Sequence, residues 1–508
     1  MMASAEEDKT ICEKKTSALK QSVSRVWNGI RQDLTPVNKD FKYTLMWCGG
    51  LTISLFLSMF MAFFVWVTLV LCIAAALISK GGRSSYILVF LLPFNNIFRI
   101  TSTDVEYLSY VTAVVVALLG IKYAISLLQK KQKFELYPAI ICLAIIIFYF
   151  TSFTFNTMNI VRIAGQATAV LFLYLMWVYR RDINLREIFS LLFFALALSA
   201  VFGLFAYSGG IRTSKFIDLL SNRYGGITGI TSFAFIALTC MAVLLVLYLN
   251  GDMKYAFYPL FTLLVFAVFV TGSKMAYVVF AFLIVFLFGV LFVRFINGDS
   301  QRKKAIVLFV VVIAIICSSS FFIVRDITFS TINRVTVIES LLPDPTQEPP
   351  PGHMPYSLDT LTTFRTTIWK VYFDAIFSSP RRAFFGFGVG ADDIGVVPYS
   401  DIKVHAHNTY VHALYYIGFF GVALLVVWAL IMFIPLIKQK KINWMNCMAI
   451  ISLGMFIMSI HVFSYLLSIY LLIVLPTLTY YGNQRKERNN SNYECISKNI
   501  DNDENSIP

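Results

Sequence analysis

Apolar residues fall in long unbroken blocks along this chain, and short polar segments rich in Lys and Arg separate them. Most blocks are long enough to cross a bilayer as a helix, which takes roughly 20 residues. The runs are continuous and do not alternate apolar with polar positions, so they predict helices and not a β-barrel. Residues 45–79 are too long for one helix and predict a tight hairpin of two, broken somewhere after Gly50 and followed by Lys80 and Arg83. A short span at 86–98 carries Pro93, and spans at 105–128, 137–155, 159–179 and 187–208 follow. A polar loop, 209–228, precedes spans at 229–250, 255–271, 275–293 and 305–324. Residues 409–437 and the long run 445–481 complete the set.

The expected fold is all-α, a polytopic transmembrane helical bundle of about 12–14 spans with one large, partly helical extracytoplasmic loop. Its expected parts are a cytosolic polar N-terminus (1–44), transmembrane helices with short loops (45–324), the large outer loop (325–408), C-terminal transmembrane helices (409–481) and a disordered cytosolic tail (482–508). The tail is rich in Asn, Asp and Lys, which cannot bury a core.

Composition agrees with this reading. The 508 residues are 58% hydrophobic and only 14% charged, where a soluble domain carries about 25% charged residues. The net charge of +14 suggests nucleic acid until its placement is considered. Lys and Arg gather in alternate segments between spans, as the positive-inside rule requires, so topology explains the surplus and no nucleic-acid partner is expected. That bias puts both termini in the cytosol and residues 325–408 outside. The first 40 or so residues hold no apolar core of signal-peptide type, so the first span should remain as an anchor.

None of the eight cysteines falls in the outer loop, and no disulfide framework or Cys-rich metal site is indicated. Within the spans Lys122, Arg162 and His461 are the main ionisable residues. Ion-coupled carriers bury carboxylates or charge pairs near the midplane, so this distribution argues against an ion-driven pump.

Candidate chemistry concentrates in and just beyond the outer loop. It holds His353, His405, His407 and His412, together with Arg325, Arg334, Arg365, Lys370, Arg381, Arg382 and Lys403. Residues 358–377 repeat apolar positions at helical spacing and predict an amphipathic helix along the outer membrane surface. Arg365 sits beside its apolar stripe, with Trp369 one turn on. A guanidinium there suits paired hydrogen bonds to phosphate oxygens, and a snorkelling interfacial Arg fits the spacing equally.

Two further stretches stay open on spacing alone. Gly386-Phe387-Gly388-Val389-Gly390 allows close approach of backbone N–H groups to a phosphate, but it lacks the dinucleotide fingerprint and reads first as a plain flexible turn. His405-Ala406-His407-Asn408 leads into the next span. A metal there lacks a third ligand with suitable spacing. An imidazole at the membrane boundary suits a general base, and a His bonded to backbone at a helix start is the plainer alternative.

Taken in order, these pieces resemble the O-antigen polymerase and ligase superfamily of polytopic membrane glycosyltransferases over roughly residues 220–440. Arg223-Tyr224-Gly225-Gly226 precedes a span. Thr271-Gly272-Ser273-Lys274 stands where the family has Gly-Ser-Arg. Phe364-Arg365-Thr366-Thr367-Ile368-Trp369, Pro380 and the glycine run resemble its outer-loop helix and turn. His407-Asn408-Thr409-Tyr410 with Tyr416-Ile417-Gly418-Phe419-Phe420-Gly421 resembles its His-Asn signature and the span after it. Lys274 departs from the pattern, keeping the charge but losing the bidentate fork.

The resemblance implies transfer of a glycan from an undecaprenyl-diphosphate carrier to an acceptor glycan, at the outer face of a bacterial inner membrane, without metal or cofactor. It implies His407, Arg365 and Arg223 as catalytic residues, and Lys274, Arg212, Asn408, Trp369, Gly388 and Gly390 as substrate-binding ones. A chain-length regulator is among the partners it implies. Polymerase and ligase differ only in acceptor, and polymerase is the expectation adopted, since polymerases serve many envelope glycans and vary more in sequence. A lipid-linked oligosaccharide flippase is the alternative of another class, but it needs a charged central cavity and no large outer loop.

Overall fold

The computed structural model describes residues 21, 24–33, 39–61, 63–94, 107–155, 160–208, 217–218, 223–227, 230–296, 365–388, 391, 406 and 408–438. The apolar blocks within these ranges are helices, as expected for chain that must satisfy its backbone groups internally. Helices α1 (Lys39–Ser58) and α2 (Phe63–Ile78) form the hairpin, with the turn at 59–61. Helix α1 starts six residues before the expected boundary because Asp40 in its first turn is held by Arg83 (2.8 Å) and Lys80 (4.0 Å). A buried Ser54–Thr68 hydroxyl bond of 2.7 Å joins the two helices.

The block at 86–98 differs from its expected form. Of its described residues, 86–94, only α3 (Tyr86–Leu91) is α-helical, and the chain tightens into a 3₁₀ turn at 92–94. Pro93 has no N–H to continue a ladder, and its carbonyl accepts from Ser199 Oγ at 3.0 Å.

Helices α4 (Tyr107–Leu128), α5 (Leu136–Phe155), α6 (Ile160–Val178) and α7 (Leu185–Ser208) then run close to the expected limits. After the polar loop come α8 (Ile230–Leu249), α9 (Phe257–Val270) and α10 (Lys274–Ile296). Helix α8 packs on α7, α9 and α10 and is buried over nearly its whole length. Inside the polar loop, strands β1 (Ile217–Asp218) and β2 (Arg223–Tyr224) pair antiparallel, with Asp218 opposite Arg223. Helices α11 (Arg365–Ile376), α12 (Pro380–Phe385) and α13 (Thr409–Lys438) complete the described chain.

Four described helices carry apolar stretches long enough to cross a membrane: Val111–Leu128, Leu185–Ala206, Ile230–Leu249 and Thr409–Trp428. Shorter apolar helices such as Phe63–Ile78 and Phe257–Val270 stand beside them. The expected spans at 305–324 and 445–481 lie outside the described residues, as does His461. The architecture is all-α and polytopic.

Polar contacts concentrate at the end where the basic inter-span segments lie. Tyr86 donates its phenol proton to the buried Glu187 Oε2 at 2.7 Å and accepts the Asn184 N–H at 2.9 Å. Arg83 Nε stands 3.9 Å from the same carboxylate. Lys122, an ionisable residue of the spans, directs its ammonium to the carbonyls of Ala76 (2.6 Å) and Ser79 (2.5 Å) and to Ser84 Oγ (2.9 Å). Carbonyls at the end of α2 lack helical donors, and a cation there also meets the negative end of the helix dipole.

The helical segment 24–33 crosses this end. Asp33 Oδ2 accepts the N–H groups of Tyr255 (2.7 Å) and Ala256 (3.0 Å) ahead of α9. Arg186 on α7 donates to the Gln32 carbonyl at 2.8 Å and to that of Asp33.

Replacing Glu187 by Ala removes a carboxylate that neutralises a partly buried guanidinium and satisfies a buried phenol. The expected loss is about 3 kcal/mol of stability. The thermal unfolding midpoint of the purified protein in detergent should fall accordingly, and a Glu187→Ala protein that melts like wild type would contradict the assignment.

Candidate functional site at a broken span

Helix α13 is a span in two pieces. Asn408 caps its start, with Oδ1 accepting the N–H groups of Tyr410 (2.9 Å) and Val411 (3.3 Å). The helix then breaks at Gly418, where φ is 59° and ψ is −171°, and resumes toward Lys438. The break lies about 14 Å along the axis from the first turn. Non-helical backbone at such a depth in an apolar span must find partners within the protein.

The segment 379–388 supplies them. Ser379 caps α12 by accepting the Arg382 N–H at 3.4 Å, and Pro380 occupies the first turn, where no N–H is needed. The helix ends at Gly386, with φ at 73° and its N–H donating to the Arg382 carbonyl at 2.8 Å. The next two amides cross to α13. Phe387 N–H donates to the Tyr415 carbonyl at 2.8 Å, and Gly388 N–H donates to that of Tyr416 at 2.9 Å.

Both glycines are required on two counts. Each has a left-handed φ that a side chain strains. A Cβ on Gly386 would lie 2.5 Å from the Tyr416 carbonyl oxygen, and one on Gly418 would lie 2.5 Å from the main chain of Phe384.

Helix α11 packs against the first half of α13. Ile368, Tyr372 and Ile376 form its buried face at a spacing of four. Tyr372 lies edge-on to Tyr415, with ring centroids 5.0 Å apart, and 5.9 Å from His412. His412 is buried, 4.4 Å from the Tyr416 ring. One turn before Tyr372, the Trp369 indole N–H donates to the Ala406 carbonyl at 2.8 Å. This bond joins the helix that begins at Arg365 to the residue next to His407.

The expected site residues divide as follows. Arg365 opens α11, Lys274 opens α10 after the tight Thr271-Gly272-Ser273 turn, and Arg223 stands in β2. That strand is seated by its neighbours. Tyr224 donates its phenol proton to the Ala200 carbonyl of α7, and burial pushes the phenol's pKa up to about 12. Gly226 packs so closely on Gly203 that a Cβ on Gly203 would meet Gly226 carbonyl carbon at 2.8 Å. His407, Arg212 and Gly390 lie outside the described residues.

The Gly388 N–H donates to the Tyr416 carbonyl, so residues 386–388 form a turn bonded to the span. Trp369 and the Asn408 side-chain oxygen likewise hold the frame together. Among the described residues no group of three His, Cys, Asp or Glu side chains has the spacing to hold a metal.

Arg382 enters the sequence reading only as one of several cations in residues 325–408, and the break at Gly418 has no sequence signal. Gly418 did appear in the Ile-Gly-Phe-Phe-Gly motif, but a lone glycine inside an apolar run is common in spans and does not announce a break.

A polytopic helical membrane protein with the 386–388 turn bonded into a broken span is the class these features define. Residues 259–426, about a third of the chain, match the family model described as O-antigen ligase, which supports a place in the O-antigen ligase and polymerase superfamily. No curated protein and no solved structure matches the chain.

Gly418→Ala should push the turn off the span. The Phe387 and Gly388 amides should then lose hydrogen-exchange protection by on the order of a hundredfold, with the α7–α8 contact unaffected. Unchanged protection at those two amides would show that the close approach has no consequence.

Proposed function

We propose that the chain is a metal-independent, inverting glycosyltransferase of the outer face of a bacterial inner membrane. It moves a glycan from an undecaprenyl-diphosphate carrier to an acceptor sugar, and it polymerises repeat units of an O-antigen, capsular or related surface polysaccharide. The observation that carries this reading is the Trp369–Ala406 bond, because it ties the segment bearing Arg365 to the segment bearing His407. The family match over the same region adds independent support.

The chemistry follows from the residue types. The acceptor hydroxyl attacks the anomeric carbon, the bond from that carbon to the diphosphate oxygen breaks, and its electron pair leaves with the diphosphate. A diphosphate leaves readily, so cations that receive its developing charge matter more than a general acid. Arg365 and Arg223 take that role, with Lys274 assisting through charge alone. His407 accepts the proton of the attacking hydroxyl. Trp369 and Asn408 act by holding the chain on either side of His407.

A ligase that joins finished polymer to lipid A core is the second reading, favoured by the wording of the matched family. Deletion separates the two. Loss of the repeat-unit ladder supports polymerisation, whereas intact free polymer without lipid A attachment supports ligation.

His407→Ala should lower transfer by roughly a hundredfold to ten-thousandfold, the range of general base catalysis. The measurement is the polymer ladder from a deletion strain complemented with the variant, alongside turnover of purified protein. Near-normal polymer length would sink the base assignment. Arg365→Lys should lose most activity because the fork geometry goes while the charge stays. Chelation with EDTA should leave turnover unchanged.

A further inference from the structure

Helix α12 compresses two chemistries into one turn and a half: Arg381 and Arg382, then Phe384 and Phe385, all exposed around the buried Ala383 that fixes the helix. The two phenylalanines begin a continuous row of rings. Phe384 and Phe385 each lie 5.3 Å from Phe420, Phe384 lies 6.4 Å from Phe419, and Phe419 lies 6.1 Å from Phe377, which stacks on Phe373 at 6.3 Å. Every ring in this row is more than a third exposed, so the row faces outward from the bundle. It spans the end of α11, α12 and the second half of α13.

At one end of the row stands a fixed cation. The Arg382 guanidinium lies 4.8 Å over the Phe387 ring and donates to Ser378 Oγ at 2.9 Å. Among the described residues no carboxylate is within ion-pair range of it. Arg382 is also the residue whose carbonyl closes the Gly386 turn. A bulk membrane lipid needs no cation held this firmly beside the site, since a snorkelling side chain would serve.

We propose that Arg382 and this phenylalanine ledge seat the lipid-linked donor, with the guanidinium on the diphosphate and the rings along the first isoprene units of the tail. The charge order of the surface matches that ligand. A guanidinium fork fits phosphate oxygens, and flat exposed rings next to it fit an unsaturated, methyl-branched chain that must stay in the lipid. The inference rests on the glycosyltransferase reading, and it adds the place where the carrier docks.

The test uses the full-length protein in nanodiscs of phosphatidylethanolamine, with an undecaprenyl diphosphate carrying a photoreactive group in its first isoprene units. Cross-links should fall on the peptides of α12 and of the second half of α13, and unlabelled undecaprenyl diphosphate should compete them away. Arg382→Gln should weaken binding about tenfold, as expected for loss of one charge-assisted contact. Lys370→Gln, an equal change of charge on α11, should not weaken it. The pair Phe384→Ser and Phe420→Ser should reduce cross-linking, and circular dichroism would report whether the fold survives.

Equal competition by phosphatidylglycerol would mean that ordinary lipid occupies the ledge, and it would overturn the proposal. Wild-type labelling of Arg382→Gln and of the double Ser variant would do the same. A wild-type strain that makes polymer while the label lands elsewhere removes the ledge alone. A deletion strain with intact surface polysaccharide removes the glycosyltransferase reading, and the ledge falls with it.

Discussion

A main-chain carbonyl or amide in an apolar span has no water to bond, and leaving one unsatisfied costs several kcal/mol. At Gly418 this chain breaks a span and so creates that demand well inside the helix. Two amides of the 386–388 turn meet it, and two glycines allow the main chains to approach without a side chain between them. The rest of the site hangs from this junction. It seats α12 directly, it holds Tyr415 where Tyr372 packs, and through α11 it brings Trp369 to Ala406.

The two ends of the bundle are therefore stabilised by different physics. At the basic end, charged side chains satisfy helix ends and one another, as Lys122, Arg83 and Glu187 do. At the opposite end, main chain bonds to main chain and aromatic rings fill the space.

Most of the helical framework was legible in the sequence because lipid imposes it. The run read as 187–208 folds as Leu185–Ser208, and that read as 229–250 folds as Ile230–Leu249. The amphipathic pattern at 358–377 likewise marked the helix described from Arg365 to Ile376. The failures have a shared cause. Residues 86–98 look like a span, yet the α-helix stops at Leu91 because Pro93 and the contact with Ser199 favour a turn. The glycine run reads as flexible because its partners, Tyr415 and Tyr416, lie in another apolar block whose break is invisible to hydropathy. The role of Trp369 depends on a carbonyl 37 residues away, which no local pattern discloses.

The segment 24–33 has an implication of a temporal kind. Its Asp33 bonds to amides at residues 255 and 256, separated from it by 222 and 223 positions. During synthesis the two Asp33 bonds must wait until the turn before α9 has been made. Closure of the bundle at that end is therefore a late event, since α1 and α2 are made long before the amides to which Asp33 bonds.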